Sequence, residues 1–145
     1  MSNIVLCALD VSQPEHEKPV LLRAAQIARL DGARLDVLTV VPDFGASMVG
    51  SYFSPDFHEK AIEKAQADLS AYISSVLGED VDHEVRHIVA TGSVHEEVLR
   101  AAQADKAGVI VIGSHRPTLR DYFLGPNAAQ VVRHSTCSVF VVRGD

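Results

Sequence analysis

The sequence predicts an open, doubly wound α/β fold: a single domain with a five-stranded parallel sheet and helices on both faces. Short apolar runs alternate along the chain with longer segments in which apolar residues recur every three or four positions. The short runs contain few polar residues, as expected for strands that are buried on both faces. A chain of 145 residues, 47% of them hydrophobic and 22% charged, is sufficient for one core.

The first half of the chain supplies two strands and two helices. Residues 3–9 (NIVLCAL) and residues 35–41 (LDVLTVV) are the predicted first and second strands. Between them, Pro19 is expected to begin a helix, because proline fits the first helical turn, and Gly32 is expected to end it. A second helix is predicted over residues 57–77 from its apolar stripe.

The second half continues the same alternation. Residues 81–90 predict a third strand, and Ser93 with Glu96 has the spacing of a helix capping box. The remaining predicted elements are a helix that ends at Asp105, a strand over 108–112, a helix over 126–134 and a strand over 138–142. With right-handed crossovers this order gives a doubly wound sheet over residues 1–145.

A long irregular stretch, residues 42–56, follows the second strand. It is rich in Pro, Gly and Ser and also carries aromatic residues. Loops of this length in compact domains are often functional, so we expect it near the mouth of a binding site. An equally good interpretation is a mobile crossover whose aromatic side chains cover the core.

Ligands of doubly wound folds bind beyond the carboxyl ends of the strands, where the strand order reverses. Asp10, residues 40–42 and the segment from Gly113 onward all lie at such ends. The loop from Gly113 to Gly125 joins a buried strand to a helix start, which suits an anionic group. Its basic residues are His115, Arg116 and Arg120. Spacing alone supports equally an ordinary connection with solvated basic side chains.

Three segments of the chain resemble the universal stress protein (UspA-like) family: residues 112–116 (IGSHR), 124–128 (LGPNA) and 131–135 (VVRHS). Asp10 at the end of the first strand and Gly92 before the third helix also match features of that family. The resemblance covers the whole chain and implies the strand order 3-2-1-4-5. In nucleotide-binding members the strand-one Asp contacts the ribose, backbone after strand two contacts adenine, and a G-x2-G-x9-G-S/T loop holds phosphates.

This chain departs from that glycine pattern. Arg116 replaces the second glycine, the spacing to Gly125 is one residue shorter, and Pro126 replaces the Ser or Thr. Arg116 restricts close backbone approach but can neutralise phosphate charge. Pro126 removes a hydroxyl and a backbone N–H, and one lost hydrogen bond to a charged group is worth about 1.5–3 kcal/mol. The pattern is closer to a subgroup with Pro and Asn-Ala at these positions, which is also associated with ATP.

The resemblance implies a homodimeric regulatory protein that binds ATP, alone or with Mg²⁺, without fast turnover, and an unidentified regulatory protein as a further partner. A ligand-free interaction module of the same fold and a slow ATP-dependent enzyme are the alternatives. The nucleotide-binding residues it implies are Ala8, Leu9, Asp10, Val40, Ile112, Gly113, Ser114, His115, Arg116, Gly125, Pro126, Asn127 and Ala128.

The last strand, with Val139, Phe140, Val141 and Val142, is apolar although it ends the chain. An edge strand of this kind favours pairing with another copy, in agreement with the dimer that the resemblance implies. Only three residues follow it, too few to cover the edge.

Composition and other motifs exclude several function classes. A net charge of −6 argues against binding to nucleic acid or to anionic membranes, and no apolar run is long enough to span a bilayer. Cys7 and Cys137 are expected to be free thiols, which together with the lack of a signal peptide predicts the cytoplasm. His83 to His87 matches the HExxH zinc motif, but the segment has the pattern of a strand, whereas zinc requires a helix.

Overall fold

The computed structural model describes residues 3–41, 55–114 and 125–143, with side chains in the second range described from Phe57. Strands and helices alternate through these ranges as the sequence predicts. Their bounds are β1 Ile4–Leu9, α1 Pro14–Asp31, β2 Arg34–Val41, α2 Pro55–Leu77, α3 Glu79–Asp82, β3 Arg86–Thr91, α4 Val94–Asp105, β4 Val109–Gly113, α5 Pro126–His134 and β5 Ser138–Val142.

The five strands form one parallel sheet in the order β3-β2-β1-β4-β5. The central strand β1 is flanked by β2 and β4, so that Cys7 lies beside Val37 on one side and Val111 on the other. The chain winds outward from β1 to β3 and then returns to build β4 and β5 on the opposite side. The strand order therefore reverses between β1 and β4, which places the crevice typical of this fold at their carboxyl ends.

Each face of the sheet carries its own apolar core. Alternate residues of β1 point to opposite faces: Val5, Cys7 and Leu9 belong to one core, and Leu6 and Ala8 to the other. The first core is completed by α1 and α2, and the second by α4 and α5. Burial on both faces explains why the central strands are almost uninterrupted apolar runs.

Helix α1 begins earlier than the sequence analysis predicts. Its first residue is Pro14, not Pro19, and Pro19 lies inside the helix. Both prolines are followed by helical residues, but Pro14 occupies the first-turn position in which a missing N–H costs nothing. Inside a helix, proline forfeits one backbone hydrogen bond. Burial of Val20, Leu21 and other apolar residues of α1 against the sheet offsets that loss.

The prediction of a third strand over 81–90 is wrong in its first half. Residues 79–82 form the short helix α3, and β3 begins only at Arg86. The cause is polar: Ser74 of α2 donates a hydrogen bond to Asp82 (2.7 Å), and His87 Nε2 lies 2.5 Å from the other Asp82 oxygen. His83 therefore falls in the turn after α3 while His87 is on β3. The described residues contain no group of three or more metal-ligating side chains.

The capping box predicted at α4 does not form. Ser93 is the N-cap residue, as expected, but its side chain makes no capping hydrogen bond. Its hydroxyl oxygen lies instead 3.3 Å from His95 Nδ1. A neighbouring imidazole thus competes with the helix N–H groups for the hydroxyl, which the capping-box spacing alone does not reveal.

Cys7 is buried, Cys137 is partly exposed, and both are free thiols, as predicted. None of the helices within the described ranges is sufficiently long and apolar to cross a membrane.

A buried charged group lies at the amino end of the sheet, where β2 and β3 begin. Asp36 is fully buried and accepts two hydrogen bonds from the Arg34 guanidinium, at 2.8 and 3.0 Å. Burial alone would raise the pKa of Asp36, but the hydrogen bonds and charge of Arg34 outweigh burial and lower it. The pKa of Asp105 is raised, mainly by hydrogen bonding with Asp36 and to a smaller extent by burial. This group of ion pairs thus lies at the end of the sheet opposite to the crevice.

Candidate functional site

A cavity of about 610 Å³ lies at the carboxyl ends of the strands, at the point where the strand order reverses. Sites for small molecules and cofactors typically have this size and position. Residues from β1, β2 and β4 form its base, and residues from α1, α2, α4 and α5 form its walls. Elements from most of the chain thus line this one cavity.

Asp10 immediately follows β1 and is held in a tight turn at the cavity. Its Oδ1 accepts hydrogen bonds from the Ser12 backbone N–H (3.0 Å) and the Ser12 hydroxyl (2.6 Å), the arrangement of an Asx turn. Its carbonyl accepts from the Gln13 N–H at 3.1 Å. Within the described part of the chain, Asp10 Oδ2 accepts no hydrogen bond. One carboxylate oxygen is therefore fixed by the protein, and no described residue donates a hydrogen bond to the other.

Glu17 of α1 also lines the cavity, and the sequence analysis did not identify it. Its Oε1 accepts the Asp10 backbone N–H at 3.0 Å, which ties the first turns of α1 to the end of β1. Its Oε2 is buried and has no hydrogen-bond partner among the described residues. Burial, assisted by the charge of Asp10 and opposed by the Asp10 N–H, raises the pKa of Glu17 to about 7.

This raised pKa predicts how Glu17→Gln changes stability. The ordinary pKa of the carboxyl is 4.5, so between about 4.5 and 7 the folded chain holds a proton that the unfolded chain has released. The free energy of unfolding of the wild type therefore falls as pH rises through this window. The glutamine of the variant does not titrate, so the variant should be more stable above pH 7, by at most about 3 kcal/mol.

Urea unfolding of both proteins at about pH 4 and about pH 8 measures this difference. The advantage of Glu17→Gln should vanish at the lower pH, where the wild-type carboxyl is protonated in both states. An advantage of equal size at both pH values would show that the substitution acts through packing and not through the proton.

The middle of the cavity is apolar. Leu38 and Ile112 form part of its base, and Val94 and Val98 of α4 lie beside them. Val40, at the end of β2, also lines it, as the sequence analysis expects. An apolar surface between polar ends is suited to a flat, weakly polar group such as a purine ring.

The start of α5 closes the cavity. Gly125 is the N-cap residue and Pro126 the first residue of the helix, with Asn127 and Ala128 next. The first amides of a helix have no partner within it and carry the positive end of the helix dipole. Because the first helical N–H is unpaired in any helix, proline at this position costs the fold nothing, and the amides of Asn127 and Ala128 remain.

Charge is unevenly distributed around the cavity. Within the described ranges its lining contains three acidic residues, Asp10, Glu17 and Asp68, and one basic residue, Lys64. Lys64 is largely exposed and forms an ion pair with Asp68 at 2.8 Å. The side that holds Asp10 and Glu17 therefore repels anions, so an anionic group of a ligand would be favoured at the α5 end instead.

The structure brings together most of the residues expected at the site. Ser114 is described but does not line the cavity; it is buried, and its N–H donates to the Val142 carbonyl at 3.0 Å. His115, Arg116 and Arg120 lie outside the described residues, as does the part of the irregular stretch up to residue 54. The expected residues that line the cavity are Ala8, Leu9, Asp10, Val40, Ile112, Gly113, Gly125, Pro126, Asn127 and Ala128.

The sequence and the fold can be compared with those of known proteins. A model of the universal stress protein family matches residues 1–143. The chain belongs to this family. Universal stress protein G of Shigella flexneri is 31% identical over 146 residues, which is 99% of this chain and 100% of that protein.

Solved structures show that this universal stress protein shares its fold with archaeal proteins. The structure of MJ0577, from Methanocaldococcus jannaschii, has a TM-score of 0.80 at 23% identity, covering 100% of this chain and 98% of the other. A universal stress protein of Archaeoglobus fulgidus, solved in complex with dAMP, has a TM-score of 0.68 at 22% identity, with 97% of each chain covered. The predicted parallel sheet with order 3-2-1-4-5 and helices on both faces is thus confirmed.

Proposed function

We propose that this chain is a regulatory protein that binds ATP, alone or with Mg²⁺, in the cavity at the carboxyl ends of β1, β2 and β4. The observation that carries the proposal is the cavity itself, which joins an Asp whose second oxygen has no partner among the described residues, an apolar centre and a helix start. A ribose, a purine and a phosphate chain need these three kinds of surface. The dAMP complex of the A. fulgidus relative supports the assignment of an adenine nucleotide.

The phosphates would be held at the start of α5. The amides of Asn127 and Ala128 provide hydrogen-bond donors, and glycine at positions 113 and 125 permits close approach of the ligand to the backbone. The acidic residues that follow β1 favour the same orientation, because they repel phosphate. We further propose that His115 and Arg116, which follow β4 in the sequence, complete the phosphate site, whereas Ser114 is buried and only supports the start of this loop.

The nucleoside would lie toward β1 and β2. Asp10 Oδ2 would accept a hydrogen bond from a ribose hydroxyl, since Oδ1 already accepts from Ser12. Backbone at Val40 would contact the edge of adenine, and Ala8, Leu9 and Ile112 would provide apolar contact. These roles agree with those that the family resemblance implies.

Magnesium fits this site only as a companion of the nucleotide. The described residues contain no group of three or more side chains that could hold a metal by themselves. Mg²⁺ commonly binds through substrate phosphates with few protein ligands, so ATP would bring the ion with it. We propose binding without fast turnover, since phosphoryl transfer depends on accurately placed metal and water-orienting groups.

Calorimetric titration of the purified protein with ATP, with and without Mg²⁺, tests the proposal. Saturable binding of one ATP per chain is expected at or below millimolar ATP. The absence of binding at millimolar ATP would contradict the proposal and favour a ligand-free interaction module. Parallel measurement of released phosphate separates binding from hydrolysis, and sustained release of phosphate would favour the enzymatic alternative.

We also propose that the chain forms a homodimer through β5. This strand lies at the edge of the sheet and pairs only with β4 within the described residues. Val139, Val141 and Val142 are only partly buried, and Phe140 is 41% exposed. Val132 of α5 is another exposed apolar side chain. A second copy would cover apolar surface that the single chain leaves in water.

Phe140→Glu is therefore expected to produce a monomer, because it places a charge in the proposed interface. Light scattering coupled to size-exclusion chromatography measures the mass of both proteins. Leu30→Glu is the matched control, since Leu30 is an apolar residue with 85% exposure on α1. A monomeric wild type, or a Phe140→Glu variant that remains dimeric, would contradict the proposed interface.

A further inference from the structure

Resting on the proposed nucleotide site, we propose that Glu17 is a positioning residue of that site and that nucleotide binding is coupled to the uptake of a proton by its carboxyl group. The ligand class is an adenine nucleotide, and the coupling makes its affinity depend on pH near neutrality. Three features of the structure support this inference.

The first feature is the contact between Glu17 and Asp10. Glu17 Oε1 accepts the Asp10 N–H at 3.0 Å, and Asp10 itself lines the cavity, with no hydrogen bond to its Oδ2 from a described residue. Glu17 therefore fixes the backbone of the residue proposed to bind the ribose. A carbonyl-type oxygen is sufficient for this contact, so the protonated acid keeps it, although the carboxylate accepts the N–H more strongly.

The second feature is the buried oxygen of Glu17. Oε2 is shielded from solvent and accepts no hydrogen bond within the described part of the chain. A buried carboxylate with such an oxygen is costly, and the neutral acid is much less so. A ligand that fills the cavity removes further water from this side chain and adds to the preference for the neutral form.

The third feature is the charge around Glu17. Within the described ranges, the titratable and charged groups that face it or share its cavity are Asp10 and Cys7 from the β1 segment, and Tyr72, Lys64 and Asp68 from α2. Lys64 is already paired with Asp68. Burial raises the pKa of Cys7 and raises that of Tyr72 to about 12, so both groups stay neutral near pH 7. Among the described residues an ionised Glu17 has no dedicated counter-ion, so it would repel nucleotide phosphates.

These features lead to a quantitative expectation. In the free protein the Glu17 carboxyl has a pKa of about 7. If binding requires the protonated form, the fraction of competent protein falls about tenfold between pH 6 and pH 8, and the apparent Kd for ATP rises by the same factor. Glu17→Gln keeps an oxygen for the Asp10 N–H but cannot ionise. The part of the pH dependence of Kd that comes from Glu17 should therefore disappear in this variant.

Calorimetric titration with ATP at about pH 6, 7 and 8 compares the wild type with Glu17→Gln. The terminal phosphate of ATP also changes its protonation in this pH range. It does so with both proteins, so the ratio of the two Kd values isolates the contribution of Glu17. This ratio, wild type over variant, should rise about tenfold from pH 6 to pH 8. At pH 7, titrations in buffers of different ionisation enthalpy should show more proton uptake by the wild type.

The outcomes distinguish this inference from the proposed function. If both proteins bind ATP with the same pH profile and the same proton uptake, the site stands and the coupling to Glu17 is wrong. If neither binds ATP at any pH, the nucleotide site itself fails, and this inference fails with it. If Glu17→Gln does not fold, the wild type still decides: binding at pH 7 without uptake of a proton beyond that of ATP itself overturns the coupling.

Discussion

Leu21→Ala is expected to lower the free energy of unfolding by about 3–5 kcal/mol, which is a large share of the stability of a domain of this size. Leu21 of α1 is fully buried and belongs to the core between α1, α2 and the sheet. Its truncation removes apolar contacts and leaves a cavity beneath the central strands, where neighbouring backbone is held by the sheet on both sides. Urea unfolding at pH 7 measures the loss.

Leu30→Ala is the matched control for this substitution. It makes the same chemical change in the same helix, but Leu30 is 85% exposed. The free energy of unfolding should change by no more than about 0.5 kcal/mol. Similar losses for the two variants would contradict the orientation of α1 on the sheet, and with it the wall of the cavity that carries Glu17.

Asp10→Asn is expected to weaken ATP binding by about tenfold to a hundredfold, which corresponds to the loss of one charge-assisted hydrogen bond of about 1.5–3 kcal/mol. Asparagine can keep the oxygen that accepts from Ser12 and so preserves the turn. It replaces the free oxygen with an amide NH₂ group, which cannot accept a hydrogen bond from a ribose hydroxyl. Calorimetric titration with ATP measures the change in Kd.

Asp31→Asn serves as the control for Asp10→Asn. Asp31 is an exposed aspartate at the carboxyl end of α1, and it does not line the cavity, so ATP affinity should be unchanged. Equal affinity of the Asp10→Asn variant and the wild type would remove Asp10 from the proposed ribose contact. If Asp31→Asn weakened ATP binding as much as Asp10→Asn or more, overall charge, and not the local contact, would govern binding.

Apart from the start of β3, the strands and the last helix could be predicted from the sequence because their signals are local. The bounds of β5 and α5 agree with the prediction, since each is delimited by its own polar or glycine neighbours. The central strands were evident from apolar runs that only burial on both faces explains. The location of the cavity followed in turn, because strand ends in this fold determine where a ligand binds.

Features that depend on tertiary contacts could not be predicted in the same way. The short helix α3 forms where Asp82 contacts Ser74 of α2 and His87 of β3, which belong to other elements. Pro19 resembled a helix start, although burial of the residues after it carries the helix through that position. In both cases local spacing favours the predicted structure, a longer third strand and a later start of α1. Packing determines the structure that is observed.

Glu17 shows most clearly what sequence reasoning missed at the site. A glutamate near the start of a helix ordinarily indicates an exposed side chain that interacts with the helix dipole. Here the same position turns the carboxyl toward the end of β1, where the Asp10 N–H and burial determine its protonation. The single available signal was the closeness of Glu17 to Asp10 in a segment that follows a strand.

Mapping of backbone amide shifts by NMR during titration with ATP tests the central claim most directly. We expect the largest shifts at Asp10, Val40 and Gly113, and at the amides of Asn127 and Ala128, which all line the cavity at the carboxyl ends of the strands. The charged group around Asp36, at the opposite end of the sheet, should be unaffected. Shifts confined to that opposite end, or no shifts at millimolar ATP, would contradict the account.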